Sequence, residues 1–424
     1  MQIKKKIVLV KQQESSDWVS CKTITQNLAD AYLQRSDIEV IQTLELKNTN
    51  SFTAYEAGFL LSKIECDTII FIDHHPSPAS IVSSLDEHTS SQKRADLVFH
   101  IFGDFILQAP QWLGATEALK KYKVKFICAS KAQGNLLKKL VKDSSLVENS
   151  FFPVNTNFFN FNESKRNSTR KKYNIEESDI VLIYTGRLSM QKNVVELIQL
   201  LDEVKKVFNL NFKVLVAGPF DDIGVPYLGK YSHAGAYSSR WLRTIEDKTN
   251  IKYLGNLTID ELHELYCASD CYISMSTHND EDFGMAPAEA ASCGLPLILS
   301  DWGGYSSFKD FFPNCSLVRT SFNTSFSNRA MPDKKDFFRT LTEQLDRLKS
   351  IKRETNDAQS VSNFSKALSL FVDFSSTNYF SGFNELMAKT VSRLEATPES
   401  PFSGPKNGYS EVYHQLYSSY TGDS

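Results

Sequence analysis

Two carboxylates, Glu281 and Glu289, bracket a Phe283-Gly284 turn and a short stretch that runs through Pro287 to Gly294. Proline suits the first helical position, where its missing N–H costs nothing, and glycine suits the left-handed residue past a helix end. The stretch therefore predicts a very short helix starting at Pro287, with Glu289 in its first turn and Glu281 on the loop entering it. A helix start offers free N–H groups to an anion, and carboxylates accept hydrogen bonds from hydroxyls. A second set, Gly186, Arg187 and Lys192, brings fixed cations to the end of an apolar run. Arg187 can grip two oxygens of a diphosphate at once, and Lys192 adds a point charge. Asn193 follows as an N-cap, with Glu196 spaced to close a capping box. Cations for phosphate and carboxylates for hydroxyls fit one ligand that carries both, a nucleotide sugar.

These groups need elements that bring them to one place. From Lys6 onward short apolar runs alternate with amphipathic segments. Strands are predicted at 7–10, 38–44, 68–73, 97–102 and 123–129, with helices near 23–33, 55–63, 79–85, 111–122 and 131–141. A polar stretch over 153–173, rich in Asn, Ser, Lys and Arg, marks a domain boundary, although its three phenylalanines, Phe158, Phe159 and Phe161, point to partial packing. A second series follows, with strands at 180–185, 213–217, 251–254, 271–275 and 297–300. Its helices are predicted at 193–208, 239–248, 260–268 and 287–293, then at 333–350 and 362–394, the last broken near 378–382. The expected fold is α/β, two doubly wound Rossmann-like domains facing across a cleft. The expected boundaries are 1–160 for the acceptor side, 161–395 for the donor side, and 396–424 for a C-terminal loop and helix. Open parallel sheets place ligand loops at the carboxyl ends of their strands. Both motifs follow strands of the second series, so both are expected at the same sheet edge. Along the C-terminal helix Tyr409, Val412, Tyr413, Leu416, Tyr417 and Tyr420 form a stripe that predicts packing against the body.

Composition narrows the class. The chain has 424 residues, 41% hydrophobic and 23% charged, with a formal net charge of −3, which gives no electrostatic case for nucleic acid. No apolar run approaches the ~18–20 residues that cross a bilayer. Seven scattered cysteines, with no second pair beside Cys267 and Cys271, predict buried free thiols, no metal site and a cytoplasmic location. The basic amphipathic stretch 131–142 would suit peripheral contact with the inner face of a membrane, although a solvated face is the plainer expectation.

Taken together, Gly186-Arg187 with Lys192, Glu281-Asp282-Phe283-Gly284 with Glu289, Gly294-Leu295-Pro296 and Gly303-Gly304 resemble the retaining glycosyltransferases of family 4, with the GT-B fold. The resemblance is strongest over 180–305. It implies transfer of a sugar from a nucleoside diphosphate donor to a glycan, lipid or protein, with anomeric configuration kept and no cofactor. It assigns the diphosphate to Arg187 and Lys192, the ribose diol to Glu289 and the transferred sugar to Glu281. Gly186, Phe283, Gly284 and the Met285 amide become donor neighbours, and Asn256, after the Tyr253-Leu254-Gly255 strand, borders the base. A histidine at the end of an N-domain strand often faces the sugar in that family. His100 is the best match, as a catalytic residue, with His74 and His75 as second choices. The pattern Asp280-x-Asp282 binds divalent metal in the other glycosyltransferase fold class. Arg187 and Lys192 already provide that charge, so metal independence is expected. One departure stands out: the turn after the first strand, residues 11–17, lacks the glycines common in the family. That departure motivates the alternatives, a non-catalytic homologue that binds a sugar or partner, or a sugar-nucleotide epimerase.

Overall fold

The structure is a computed structural model. It describes residues 4–13, 19–47, 50–90, 94–101, 105–222, 235–246, 248–279, 281–322, 330–350, 372–395 and 409–422. The chain forms two compact units, Met1–Val154 with Leu368–Ala396, and Asn155–Ala367 with Thr397–Ser424.

The first unit is built on strands β1 (Lys5–Gln12), β2 (Ile38–Leu46), β3 (Thr68–Phe71), β4 (Asp96–Ile101), β5 (Lys123–Cys128) and β6 (Val147–Asn149). They pair in parallel in the order β2-β1-β3-β4-β5-β6. The continuous apolar runs of β1, β3 and β4 are buried, as strands covered on both faces require. The helix Lys131–Lys138 starts at Ser130, whose side chain caps the Gln133 N–H, and buries Ala132, Leu136 and Leu137. Its apolar face is thus already covered by protein, and Lys131 and Lys138 are exposed on the other side.

The second unit contains β7 (Val181–Thr185), β8 (Lys213–Ala217), β9 (Ile251–Tyr253), β10 (Cys271–Ser274), β11 (Leu297–Ser300) and β12 (Cys315–Val318). Their order, β12-β11-β10-β7-β8-β9, is the dinucleotide-fold arrangement, with the strand order reversing between β7 and β10. A small antiparallel hairpin, β13 (Thr320–Phe322) with β14 (Ala330–Pro332), follows. In the helix Val194–Phe208 the residues Val194, Leu197, Ile198, Leu201 and Val204, which recur at helical spacing, are buried, whereas Phe208, in the last turn, is exposed.

Two differences from the expected boundaries have local causes. The stretch Leu368–Ala396 belongs to the first unit, not to the donor domain: β15 (Asn378–Tyr379) adds antiparallel to β5, and the Asn384 N–H donates to Leu140 O at 2.8 Å. Phe380 packs edge-on to Phe126 there. The boundary itself falls at 154/155 instead of 160/161. The polar stretch is partly helical: Glu163–Lys172 is capped by Asn162 and ends on three basic residues, Arg170, Lys171 and Lys172. Arg166 and Arg170 reach the last carbonyls of the helix Ile259–Ala268 and the carboxylate of Asp270. Both arginines are thereby spent on tying this segment to the second unit.

Candidate active site

The site is assembled at the carboxyl ends of β7 and β10, on either side of the reversal in strand order. β7 ends at Thr185, whose hydroxyl shares a 2.7 Å hydrogen bond with the Tyr266 hydroxyl and whose carbonyl accepts from the Tyr272 hydroxyl at 3.1 Å. Tyr184 donates to the Arg187 carbonyl at 2.9 Å, which fixes the turn that presents the guanidinium. That guanidinium is ion-paired with Asp221, on the loop after β8. Asp221 lies 34 residues from Arg187, and no local pattern in the sequence marked it.

Asn193 begins the next helix, but not as a side-chain cap. Its backbone is left-handed at φ 53°, and its amide donates instead to Met275 O at 2.9 Å and to the Thr277 hydroxyl at 2.8 Å. The expected capping box with Glu196 is therefore absent, and Glu196 pairs with Arg240. Asn193 ties the basic motif to the loop after β10. Across that tie, Lys192 Nζ meets Glu281 Oε2 at 2.6 Å, with side-chain exposures of 16% and 7%. The phosphate half and the sugar half of the expected site are thus in direct contact.

The acidic loop is shaped by close backbone packing. Gly304 donates to Glu281 O at 2.6 Å, and a Cβ on Gly304 would lie 2.3 Å from Asp282 O. This explains why two glycines follow the acidic motif: no side chain fits there. Asn279 donates to the Tyr417 hydroxyl and Tyr420 donates to Asp282, each at 3.3 Å, so the C-terminal tyrosine stripe backs the loop. Val412, Tyr413, Leu416, Tyr417 and Tyr420 are all buried. Asp280, which opens the Asp-x-Asp pattern, lies outside the described residues, whereas Asp282 is buried.

The helix itself runs Met285–Ser292, two residues earlier than expected, from Gly284 at φ 106°. Pro287 sits third in the helix, still in the first turn, whose N–H groups have no intrahelical acceptor. Gly294 adopts the left-handed conformation past the end, φ 81°, as predicted. Glu289 consequently lies beyond the first turn, and its stability there cannot come chiefly from the helix dipole. It is buried, accepts from the Tyr266 hydroxyl at 3.2 Å, and burial pushes its carboxyl up to about 8. Phe283 is buried against Phe308, with ring centroids 5.4 Å apart.

Electrostatics confirm that these groups share one neighbourhood. His278, on the same loop, is held well below the ordinary imidazole range by burial first and then by the charges of Lys192 and Arg187. Tyr272 is raised mainly by burial and further by both Glu281 and Glu289. Asn256 is exposed on the loop after the edge strand β9.

The histidines of the first unit are placed differently from the expectation. His100 lies within β4, buried, with Nε2 2.7 Å from the Tyr32 hydroxyl, and burial pushes it down to about 3. It is a neutral core residue in this geometry, not a side chain at a loop edge; the residues 103 and 104 that recommended it lie outside the described set. His74 and His75 instead follow β3 at the carboxyl edge of that sheet, where Asp73 accepts from the His74 N–H at 2.7 Å and pairs with its ring at 3.2 Å. The turn at 14–18 is also outside the described residues.

Residues 165–310 match the family model of glycosyl transferases group 1. A lipopolysaccharide 1,2-N-acetylglucosaminetransferase of Salmonella typhimurium is 26% identical over 149 residues, 35% of this chain and 37% of that protein. An uncharacterized glycosyltransferase of Methanocaldococcus jannaschii is 24% identical over 32% of this chain and 30% of its own. The chain thus covers 37% of the length of the first relative and 30% of the second. Among solved structures, the Anabaena protein HepE in complex with UDP and glucose superposes with a TM-score of 0.54 at 15% identity, covering 86% of this chain and 94% of its own. A glycosyltransferase from Rickettsia africae gives a TM-score of 0.56 at 17% identity, covering 93% and 98%. The chain has the GT-B fold, and its residues 165–310 are similar to the glycosyl transferases group 1.

Proposed function

We propose that the chain is a retaining glycosyltransferase that moves a sugar from a nucleoside diphosphate sugar to a glycan, lipid or protein acceptor. The observation that carries this is the 2.6 Å contact between Lys192 and Glu281, which joins the cationic and acidic motifs at one sheet edge. In this reading Arg187 and Lys192 clamp the diphosphate beside Gly186. Glu289 accepts from the ribose hydroxyls, Glu281 contacts the transferred sugar, and Phe283, Gly284 and Met285 line the donor. Asn256 borders the base. The Anabaena neighbour was solved with UDP and glucose, so UDP-hexoses are the first donors to try. The seven free cysteines suit a reaction in the cytoplasm.

Breaking the sugar–phosphate bond develops negative charge on the departing diphosphate and positive charge at the anomeric carbon. Fixed cations that face the diphosphate stabilise the first of these, and losing one such donor costs about 3–4 kcal/mol in the transition state. Retention follows if the acceptor attacks from the leaving group's face and the departing phosphate takes its proton. No protein nucleophile is then required, and Glu281, already engaged by Lys192, serves as a hydroxyl acceptor. The two cations replace a divalent metal.

A thermal-shift panel of UDP, GDP and ADP with their sugars tests the reading, since a ligand at 100 times its Kd adds ~2.7 kcal/mol. One nucleotide class is expected to stabilise the chain, and Arg187→Ala to abolish the shift. If no donor binds or is turned over by the wild-type chain, the proposal fails. Loss of activity in EDTA with rescue by manganese would refute the metal-free clamp, and inverted product configuration by NMR would refute retention.

A further inference from the structure

His263 and Cys267 lie one turn apart on the same face of the helix Ile259–Ala268, and Cys293 closes the helix Met285–Ser292 opposite them. Their ligand atoms all lie within 4.8 Å of one another, and all three residues are buried. We propose that His263, Cys267 and Cys293 form a binding site for a thiophilic cation, zinc(II), distinct from the sugar-nucleotide residues.

Three features support it. His263 Nε2 lies 2.6 Å from the Asn160 carbonyl, which can only accept, so Nε2 carries the proton and Nδ1 keeps its lone pair. A ligating histidine is commonly oriented by such a carbonyl. Second, Cys267 and Cys293 bring two buried sulfurs to one point from different helices, and a thiol gives up its proton when it ligates zinc(II). Third, the charges close: two thiolates and a neutral imidazole around zinc(II) leave no net charge in the interior. Ligand–ligand edges in a tetrahedral zinc–thiolate site are about 3.8 Å, so the cluster contracts by about 1 Å, leaving a fourth position for water. Lys165, whose ammonium is 3.0 Å from Nδ1, must swing away when zinc arrives, and the two thiols release their protons to solvent.

The cation would pin the helix that carries Tyr266 to the helix that carries Glu289, and Tyr266 donates to Glu289. The inference rests on this cluster alone and stands whether or not the chain transfers sugar. The full chain, purified reduced and stripped with a strong chelator, is titrated with zinc(II) against a chromophoric competitor and, separately, with cobalt(II). One zinc per chain is expected, with a thiolate-to-cobalt charge-transfer band in the near ultraviolet. His263→Gln removes a direct ligand and is expected to weaken zinc by at least the roughly 10–100-fold that loss of a ligand's hydrogen-bonding partner costs, and Cys267→Ser/Cys293→Ser to remove the band. Absence of the band in the wild-type chain overturns the proposal without reference to any variant's folding. So does equal zinc uptake by the folded double variant, or a Cys267–Cys293 disulfide in the reduced protein.

Discussion

The Lys192–Glu281 ion pair is the most direct place to test the site. At 2.6 Å and an effective dielectric near 20, the gross attraction is about 6 kcal/mol. Desolvation of both ions offsets most of it, so the pair's net contribution is small, but breaking it is not. Lys192→Met strands a carboxylate that is only 7% exposed, and a buried charge without its partner costs about 3–5 kcal/mol. Because Lys192 keeps 16% exposure and water can follow its removal, about 3 kcal/mol is the expected loss. Glu281→Gln should cost less, since the lysine can turn to solvent. Urea titration followed by tryptophan fluorescence reports both units, with Trp241 and Trp302 buried in the second and Trp112 in the first. The double variant Lys192→Met/Glu281→Gln should recover at least about 1 kcal/mol relative to the sum of the singles. Binding should split the pair's roles. Lys192→Met loses about 10–100-fold in UDP affinity, the size of one charge-assisted hydrogen bond. Glu281→Gln frees Lys192 and keeps or raises UDP affinity while kcat falls. Additive singles, each below about 0.5 kcal/mol, together with equal loss of UDP binding in both variants, would show that the two motifs are not joined in this way.

Three further expectations follow from particular contacts. Gly304→Ala puts a Cβ 2.3 Å from the Asp282 carbonyl, so the acidic loop must shift; a loss of about 1–3 kcal/mol in urea and of the nucleotide thermal shift is expected. Glu289→Gln keeps an acceptor for the Tyr266 hydroxyl but removes the carboxyl that burial raises to about 8, so KM for the donor should rise about tenfold above that pH, where the wild-type carboxylate offers two acceptor oxygens, with kcat nearly unchanged. His100 is neutral in the folded chain down to about 3, whereas the unfolded chain binds its proton near 6.5. The unfolded state therefore holds more protons between those values, and stability falls as pH falls. The chain should be about 2 kcal/mol less stable at pH 5 than at pH 7 through this residue, and His100→Gln should remove that part of the slope in urea titrations at both pH values.

Sequence alone determined the alternation of strands and helices in both units, because buried parallel strands must be short apolar runs and their covering helices must be amphipathic. It also singled out Arg187, Lys192, Glu281 and Glu289, whose charges stand just after such runs. Tertiary structure decided what those residues touch. The strand order that reverses between β7 and β10 is a long-range property, and it alone brings Lys192 to Glu281. Asp221, the partner of Arg187, and Tyr266, the partner of Glu289, come from other loops and helices, where no spacing rule reaches. Glycine positions were legible as turns, but only the backbone contact at Asp282 explains Gly304. The cysteines show the limit most clearly. In the sequence Cys267 stands nearest to Cys271, four residues away, yet a helix ends between them and Cys271 starts a strand. In space Cys267 faces Cys293, twenty-six residues on, because packing of two helices decides neighbours once the local period is broken.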